Sequence, residues 1–461
     1  MRGLQGLTMA LVLLAGWAAG AQGKPGKGEA SRPGAGIEER TLKNGLKVIV
    51  WPDHDIPSIA LYNWFRVGSR NERPGITGLS HFFEHMMFNG AKKYGPGQFD
   101  AVMEAAGGSN NAGTTEDYTV YMEWFPRSAL ETIFELEADR LAHLAFDPKI
   151  IESERGVVYS ERRSGIDNDN AGALMEQVQA TAFVAHPYQF PVIGWPSDIE
   201  SWRLEDLQRF FQTYYAPNNA TLVVVGAVTP AEVFALAEKH LGPLPAQPAP
   251  EPVRTQEPEQ QGERRVVLRR MAQTPLLQMA WHGVAAKDPD VPALDLLLSV
   301  LAEGDSSRLH RRLVEEEQVA LSVGSRFSQT FDPSLVWLQL DLPPGADVAR
   351  VEKLLDEELA KVRAQGITDA ELRKAKNSTV ADFWRGLETN NYRGQLLGSY
   401  ELFQGDWRKL FEAPARYEQV TREQVRKVAQ RVFDANRRTV GVLVPTEEAP
   451  APAGQPQEAG Q

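Results

Sequence analysis

The chain has 461 residues, 42% of them hydrophobic and 24% charged, a globular composition long enough for two or more domains. Its formal net charge is -12 and no block of Lys and Arg stands out, so the electrostatic footprint of a nucleic-acid-binding protein is missing. There are no cysteines, which excludes disulfides, thiolate zinc ligands and a thiol nucleophile together. Any metal must be held by histidines and carboxylates.

In chain order, Arg2, the apolar run Met9 to Leu14 and the small residues Ala19-Gly20-Ala21 give residues 1–21 the pattern of a cleavable export signal. That run is too short to cross a bilayer, and no later stretch approaches the required length. The mature chain is therefore expected to carry no membrane span and to work outside the cytoplasm, periplasmic or secreted. Residues 22–36, rich in Gly, Lys and Pro, read as a flexible lead.

Residues 37–244 form the first expected domain. Alternating apolar positions predict strands at Leu46 to Trp51 and Ser58 to Val67. A helix over Leu204 to Tyr215, a short loop and the apolar run TLVVVGAV follow, and Thr229 with Pro230 and Glu232 marks the next helix start. The Pro, Gln and Glu-rich residues 245–263 read as a linker. Residues 264–446 repeat the plan, with a strand at Val336 to Leu342 and capping boxes at Thr368/Glu371 and Thr421/Gln424. A helix over Arg422 to Phe433 then leads into the run TVGVLV, so the two halves end alike. Residues 447–461, rich in Ala, Pro and Gln, are an expected disordered tail. Interleaved helices with adjacent strand pairs point to an α+β fold: two similar halves, each a mixed or antiparallel sheet carrying helices on one face.

The chemistry concentrates in His81-Phe82-Phe83-Glu84-His85. On a helix His81 and His85 lie one turn apart on one face and can share a metal, while Glu84 sits at the edge of that face. This is the inverted zinc-peptidase pattern, H-x-x-E-H, in which the carboxylate is free to act as general base on a water activated by zinc. Catalytic zinc takes three protein ligands and leaves a position open, so two histidines call for a carboxylate from elsewhere. The segment IIESERGVVYSERRSG offers Glu152, Glu154 and Glu161, of which Glu154 and Glu161, seven apart, share a helix face. A solvated charged face with Arg155, Arg162 and Arg163 as partners suits Glu152 well and Glu154 less well.

H-x-x-E-H followed 76 positions later (161 minus 85) by Glu161 resembles the pitrilysin-type peptidases, the family of mitochondrial processing peptidase and insulin-degrading enzyme. The similarity continues through NGLKVIVWPDHDIPSIALYNWFRVGSRNE, NNAGTTEDYTVYMEWF and HPYQFPVIGWPSDIE. It implies a zinc endopeptidase of the short bacterial type acting on unfolded peptides, with two homologous domains and one zinc ion per chain. In that resemblance His81, His85 and Glu161 are the ligands, Glu84 is the base and Glu154 supports the site. An edge strand over Ser109 to Tyr118 would bind extended peptide, with Asn111 and Ala112 closest to the metal. The rival reading is a metal-free assembly subunit of the same fold, against which the intact ligand set speaks.

The second half departs from the first. Sliding PALDLLLSVLAEG beneath GLSHFFEHMMFNG puts Asp295, Leu298 and Ser299 in the places of His81, Glu84 and His85, so this half is expected to bind no zinc. Active relatives carry an Arg and a Tyr, seven apart, in a segment where this chain has Val314 and Leu321. The resemblance therefore implies a heterodimer with a metal-free paralogous subunit that supplies the pair, or else a homodimer. Arg393 and Tyr400, also seven apart, read as an ordinary helix face.

Overall fold

The computed structural model describes residues 34–446. The expected export signal, most of the lead and the tail lie outside these residues. Six strands, β1 (Glu38–Thr41), β2 (Lys47–Pro52), β3 (Ser58–Phe65), β4 (Ser109–Thr114), β5 (Thr119–Pro126) and β6 (Ala220–Gly226), form one sheet in the order β1-β2-β6-β3-β5-β4. All pairs in it are antiparallel except β2 with β6. Its helices are α1 (Leu79–Met86), α2 (Gln98–Ala105), α3 (Leu130–His143), α4 (Pro148–Arg162), α5 (Asn170–Ala182), α6 (Pro196–Ser201), α7 (Leu204–Tyr214) and α8 (Pro230–Leu236).

The second sheet comprises β7 (Arg264–Met271), β8 (Leu276–His282), β9 (Ser322–Phe327), β10 (Leu335–Asp341) and β11 (Arg438–Thr446), ordered β7-β11-β8-β10-β9. Only β7 with β11 is parallel. Its helices are α9 (Val291–Ala302), α10 (Val348–Gln365), α11 (Asp369–Gly386), α12 (Asn390–Gln404), α13 (Ala413–Gln419) and α14 (Arg422–Val432). Strand for strand this repeats the first sheet without β1. The α+β class, the mixed sheets and the strands read from alternation are all present, and Thr229, Thr368 and Thr421 cap the helices expected of them. Residues 245–263 have no regular structure but are held down: Glu257 accepts N–H bonds of 2.8–2.9 Å from Val184, Ala185 and His186.

Each sheet is covered on both faces, which the expectation of helices on one face did not contain. In β3 the side chains of Ile59, Leu61 and Phe65 enter the core under the first half's own helices. Ala60, Tyr62 and Trp64 point the other way, into a cluster with Leu397, Leu402 and Phe403 of α12 from the second half. Reciprocally, α5 of the first half lies on the second sheet, where Leu174, Val178 and Phe183 meet Ala280, Trp337 and Leu443. The halves thus exchange one helix each. Both crossings are close enough to require glycine: a Cβ on Gly398 would lie 2.0 Å from Trp64 Nε1, and one on Gly441 would lie 2.2 Å from Val178 Cγ2. Polar ties reinforce the exchange. Lys47 pairs with Glu401 at 2.6 Å, and Arg393 pairs with Asp53. Arg70 pairs with Asp117 at 3.1 Å and with Asp332 of the second half, while Asp117 also accepts the Phe331 N–H at 2.6 Å. Arg393 and Tyr400, read from sequence as an ordinary helix face, lie on the face of α12 that packs on the first sheet.

Candidate metal centre and active site

Helix α1 is short, and its register is set by its apolar side. Phe82, Phe83 and Met86 are buried, Phe82 against Trp202 with ring centroids 4.9 Å apart and Phe83 against Phe210, Phe211 and Tyr215. With those faces committed, His81, Glu84 and His85 turn together toward the cleft between the halves.

Three further contacts hold the helix in place. The Tyr121 hydroxyl of β5 donates to the Phe83 carbonyl at 3.0 Å. At the N-terminus, where helical N–H groups lack partners, the buried carboxylate of Glu72 accepts from Gly78 N at 2.6 Å and Ser80 N at 2.7 Å. Burial pushes this carboxyl up to about 8 despite those bonds. Asp198 of α6 accepts from Gly75 N, Thr77 N and the Thr77 hydroxyl at 2.7–3.1 Å. Gly78, with φ of 87°, touches the backbone of Gly194, with φ of 88°, and a Cβ on Gly78 would stand 2.5 Å from the Ile193 carbonyl. Sequence reasoning missed Glu72, Tyr121, Asp198 and Gly194. Only the GW turn of IGWPSD hinted at the last.

The second element is α4, started by Asp147, whose side chain accepts from Lys149 N at 2.7 Å, and by Pro148 in its first turn. Arg155 fastens it to the Trp202 carbonyl at 3.0 Å, and pairs with Glu152 at 3.2 Å, the partner expected for it. Arg162 instead forms a buried bidentate pair with Glu176 of α5 at 2.7 and 2.9 Å. With those residues engaged elsewhere, Glu154 and Glu161 face α1.

Glu161 Oε2 lies 3.3 Å from His85 Nε2 and 3.6 Å from His81 Nε2, and the three groups offer ligand atoms all within 4.8 Å of one another. Zinc bonded tetrahedrally at about 2.0–2.1 Å spaces its ligand atoms about 3.3–3.4 Å apart, so the donor set fits that ion. His85 Nδ1 lies 2.8 Å from Glu154 Oε1, which fixes the ring and leaves Nε2 for the centre. Burial holds the His81 ring below the usual imidazole range. Burial also disfavours charge on His85, but the carboxylates of Glu154 and Glu161 outweigh it and lift that ring to about 10. Burial would raise Glu161, but the His85 ring holds it below the usual carboxylate range.

The cleft has a volume of about 1110 Å³, and Asn111, Ala112 and Glu84 line it together with the three candidate ligands. Of the expected edge segment, Ser109–Thr114 is the strand, paired among the described residues only with β5. Residues 115–118 form its hairpin turn, and Asp117 there is buried in the contact between halves.

In the second half Asp295 is half-buried and accepts the Tyr417 hydroxyl at 2.7 Å, and desolvation raises its carboxyl to about 6. Leu298 is buried. Among the described residues the other cluster of suitable donors is Glu131, Glu135 and His240, where Glu131 pairs with Lys239 and Glu135 with Lys93. Val314 packs against the second core, and Leu321 is exposed.

Two family models match the chain: Insulinase (Peptidase family M16) over residues 48–194, and Peptidase M16 inactive domain over residues 201–379. A zinc protease of Helicobacter pylori named PqqE is 33% identical over 417 residues, covering 88% of this chain and 93% of that protein. This chain belongs to peptidase family M16. A crystal structure of a protease from Helicobacter pylori superposes with a TM-score of 0.86 at 32% identity, over 89% of this chain and 99% of that one. The probable mitochondrial-processing peptidase subunit beta of Schizosaccharomyces pombe is 26% identical over 411 residues, or 86% of this chain and 88% of that protein. The resemblance read from the sequence, and the metallopeptidase class with it, agree with this membership.

Proposed function

We propose that the chain is a zinc-dependent endopeptidase that hydrolyses unfolded peptides or small polypeptides, with one zinc ion held by His81, His85 and Glu161. The observation that carries this reading is the convergence of those three donors at ligand spacing, with Glu84 on the same wall of the cleft. Zinc, when bound there, lowers the pKa of water toward neutrality and polarises a carbonyl. Glu84 accepts the proton of the attacking water and returns it to the leaving amine. Glu154 orients His85 through its Nδ1. The free edge of β4 binds the substrate by strand addition, so that backbone groups near Asn111 and Ala112 align the chain beside the metal.

The partner belongs to the same proposal. With Val314 and Leu321 in place of an Arg and Tyr pair, a metal-free paralogous subunit completes the site, a second copy of this chain being the alternative. Peptide cleavage by the purified chain at a rate unchanged by any partner would remove this part. Export to the periplasm or beyond rests on the N-terminal pattern; among the described residues no helix is long and apolar enough to cross a membrane.

Metal analysis combined with a quenched-peptide assay tests the core reading. Glu84→Gln is expected to retain one zinc per chain and lose at least about a hundredfold in turnover, the typical share of a general base. Full activity in that variant would end the assignment. A scaffold of the same fold predicts no zinc-dependent turnover at all.

A further inference from the structure

The cleft is strongly acidic. Glu84, Glu116, Glu154, Glu161 and Glu176 all line it, and the single Lys or Arg side chain among its lining residues is Arg326. Arg326 sits on β9, the edge strand of the second sheet, opposite Trp337 in the β10 register and so on the face that α5 covers. It is exposed, and its one polar contact among the described residues is Nη1 to the Met175 sulfur of α5, at 3.7 Å. Other arginines where the halves meet are spoken for: Arg162 by Glu176, Arg70 by Asp117 and Asp332. Arg326 has no carboxylate partner among the described residues.

A guanidinium whose one contact is a weak thioether acceptor, facing the cleft, keeps the rest of its N–H donors available in the fork that matches a carboxylate. A carboxylate that reaches it gains a charge-assisted, bidentate pair. We infer that Arg326 is a specificity-determining residue that receives a carboxylate of the peptide substrate, either an Asp or Glu side chain or the C-terminal carboxylate. The inference rests on the peptidase reading above. The surrounding glutamates disfavour acidic residues elsewhere in the cleft, so one carboxylate at one position is selected rather than acidic peptides in general.

The test is a set of quenched peptides that differ only in carrying Glu or Gln at successive positions on either side of the cleaved bond, each as free acid and as amide. The intact protein, zinc-loaded and with its partner subunit present, is expected to cut one member of the set at least about tenfold better in kcat/KM than its uncharged counterpart. A gain confined to a Glu position identifies a side-chain carboxylate, and one confined to the free acids identifies the C-terminus. Arg326→Gln should erase the preference while leaving zinc content and cleavage of the neutral peptide within twofold, Arg326→Lys should keep part of it, and Arg326→Glu should transfer it to a Lys-bearing peptide. The inference is overturned if neutral peptides are cut with no charge preference, if Arg326→Gln retains the preference, or if it slows every peptide equally. Failure to cut any peptide, by protein that holds zinc and has its partner present, would instead overturn the peptidase reading itself.

Discussion

Glu154 gives the sharpest test of how the site is built. It touches none of the other candidate ligands; its one role at the centre is the 2.8 Å contact with His85 Nδ1, in a place where both side chains are mostly buried, 14% and 16% exposed. Glu154→Ala removes a charge-assisted bond that orients the ring, and the loss of such an outer partner costs about 10- to 100-fold in metal affinity, or about 1.4–2.7 kcal/mol. A second effect opposes it. Without metal the same carboxylate helps lift His85 to about 10, so zinc must displace a proton from that ring at neutral pH, and its affinity should rise about tenfold per pH unit from pH 7 to 9. His81, held low by burial, adds no such competition. In the variant the His85 ring is neutral sooner and the slope flattens, so the deficit should grow steadily from pH 7 to 9 and reach its full size only above about pH 10. Competition with a chromogenic chelator across that range measures both quantities. The same pH slope and the same dissociation constants as the unaltered protein throughout that range, in a variant with unchanged circular dichroism, would refute the assigned role.

The remaining expectations concern what holds the site in place. Glu72→Ala leaves the Gly78 and Ser80 N–H groups buried without an acceptor, and should cost about 1–3 kcal/mol in denaturant unfolding while weakening zinc binding, although residue 72 contacts no ligand. Gly398→Val places a branched side chain where a single Cβ already lies 2.0 Å from Trp64 Nε1; the helix must lift off, with a loss of about 1–3 kcal/mol or more and a lower Tm. A chain ending at residue 244 should fail to fold cooperatively, because Tyr62, Trp64 and Val225 lose the cover of α12; a sharp thermal transition in that fragment would contradict the exchange of helices.

What the sequence disclosed follows from the range of each interaction. His81, Glu84 and His85 are legible because three- and four-residue spacing is enough to put them on one helix face. Thr229, Thr368 and Thr421 are legible because a capping box closes within three residues. Glu161 could be placed only through the family spacing, since nothing local separates it from Glu154 on the same helix face. Glu72 reads as one more acid in a loop, and its role becomes visible only once the chain folds back to put its carboxylate under the first turn of α1. The runs SIALYNWF and ATLVVVG carry apolar residues at both parities, a sign of burial on both faces, but not of which helix supplies the second cover. The small residues Gly394 and Gly398 on α12 were the available clue, and their spacing gains meaning only against the indole they admit.

The exchange of helices also ties the second half to the candidate metal site. Glu161 stands next to Arg162, whose guanidinium is bound on both nitrogens to Glu176 of α5. Between them the chain makes a wide helical turn, Arg163–Asp167, and α5 then lies flat on the second sheet, with Gly441 admitting Val178. The end of α4 is thereby fixed from two sides: α1 and α6 hold it in the first half, and the docking of α5 holds it to the second. Buried pairs such as Arg162 with Glu176 tolerate little rearrangement, because separating them leaves a charge without a partner at a cost of about 3–5 kcal/mol. Glu161 is thus carried on a segment anchored to both sheets, so that in the proposed zinc site the second half would help to set the spacing of the ligands.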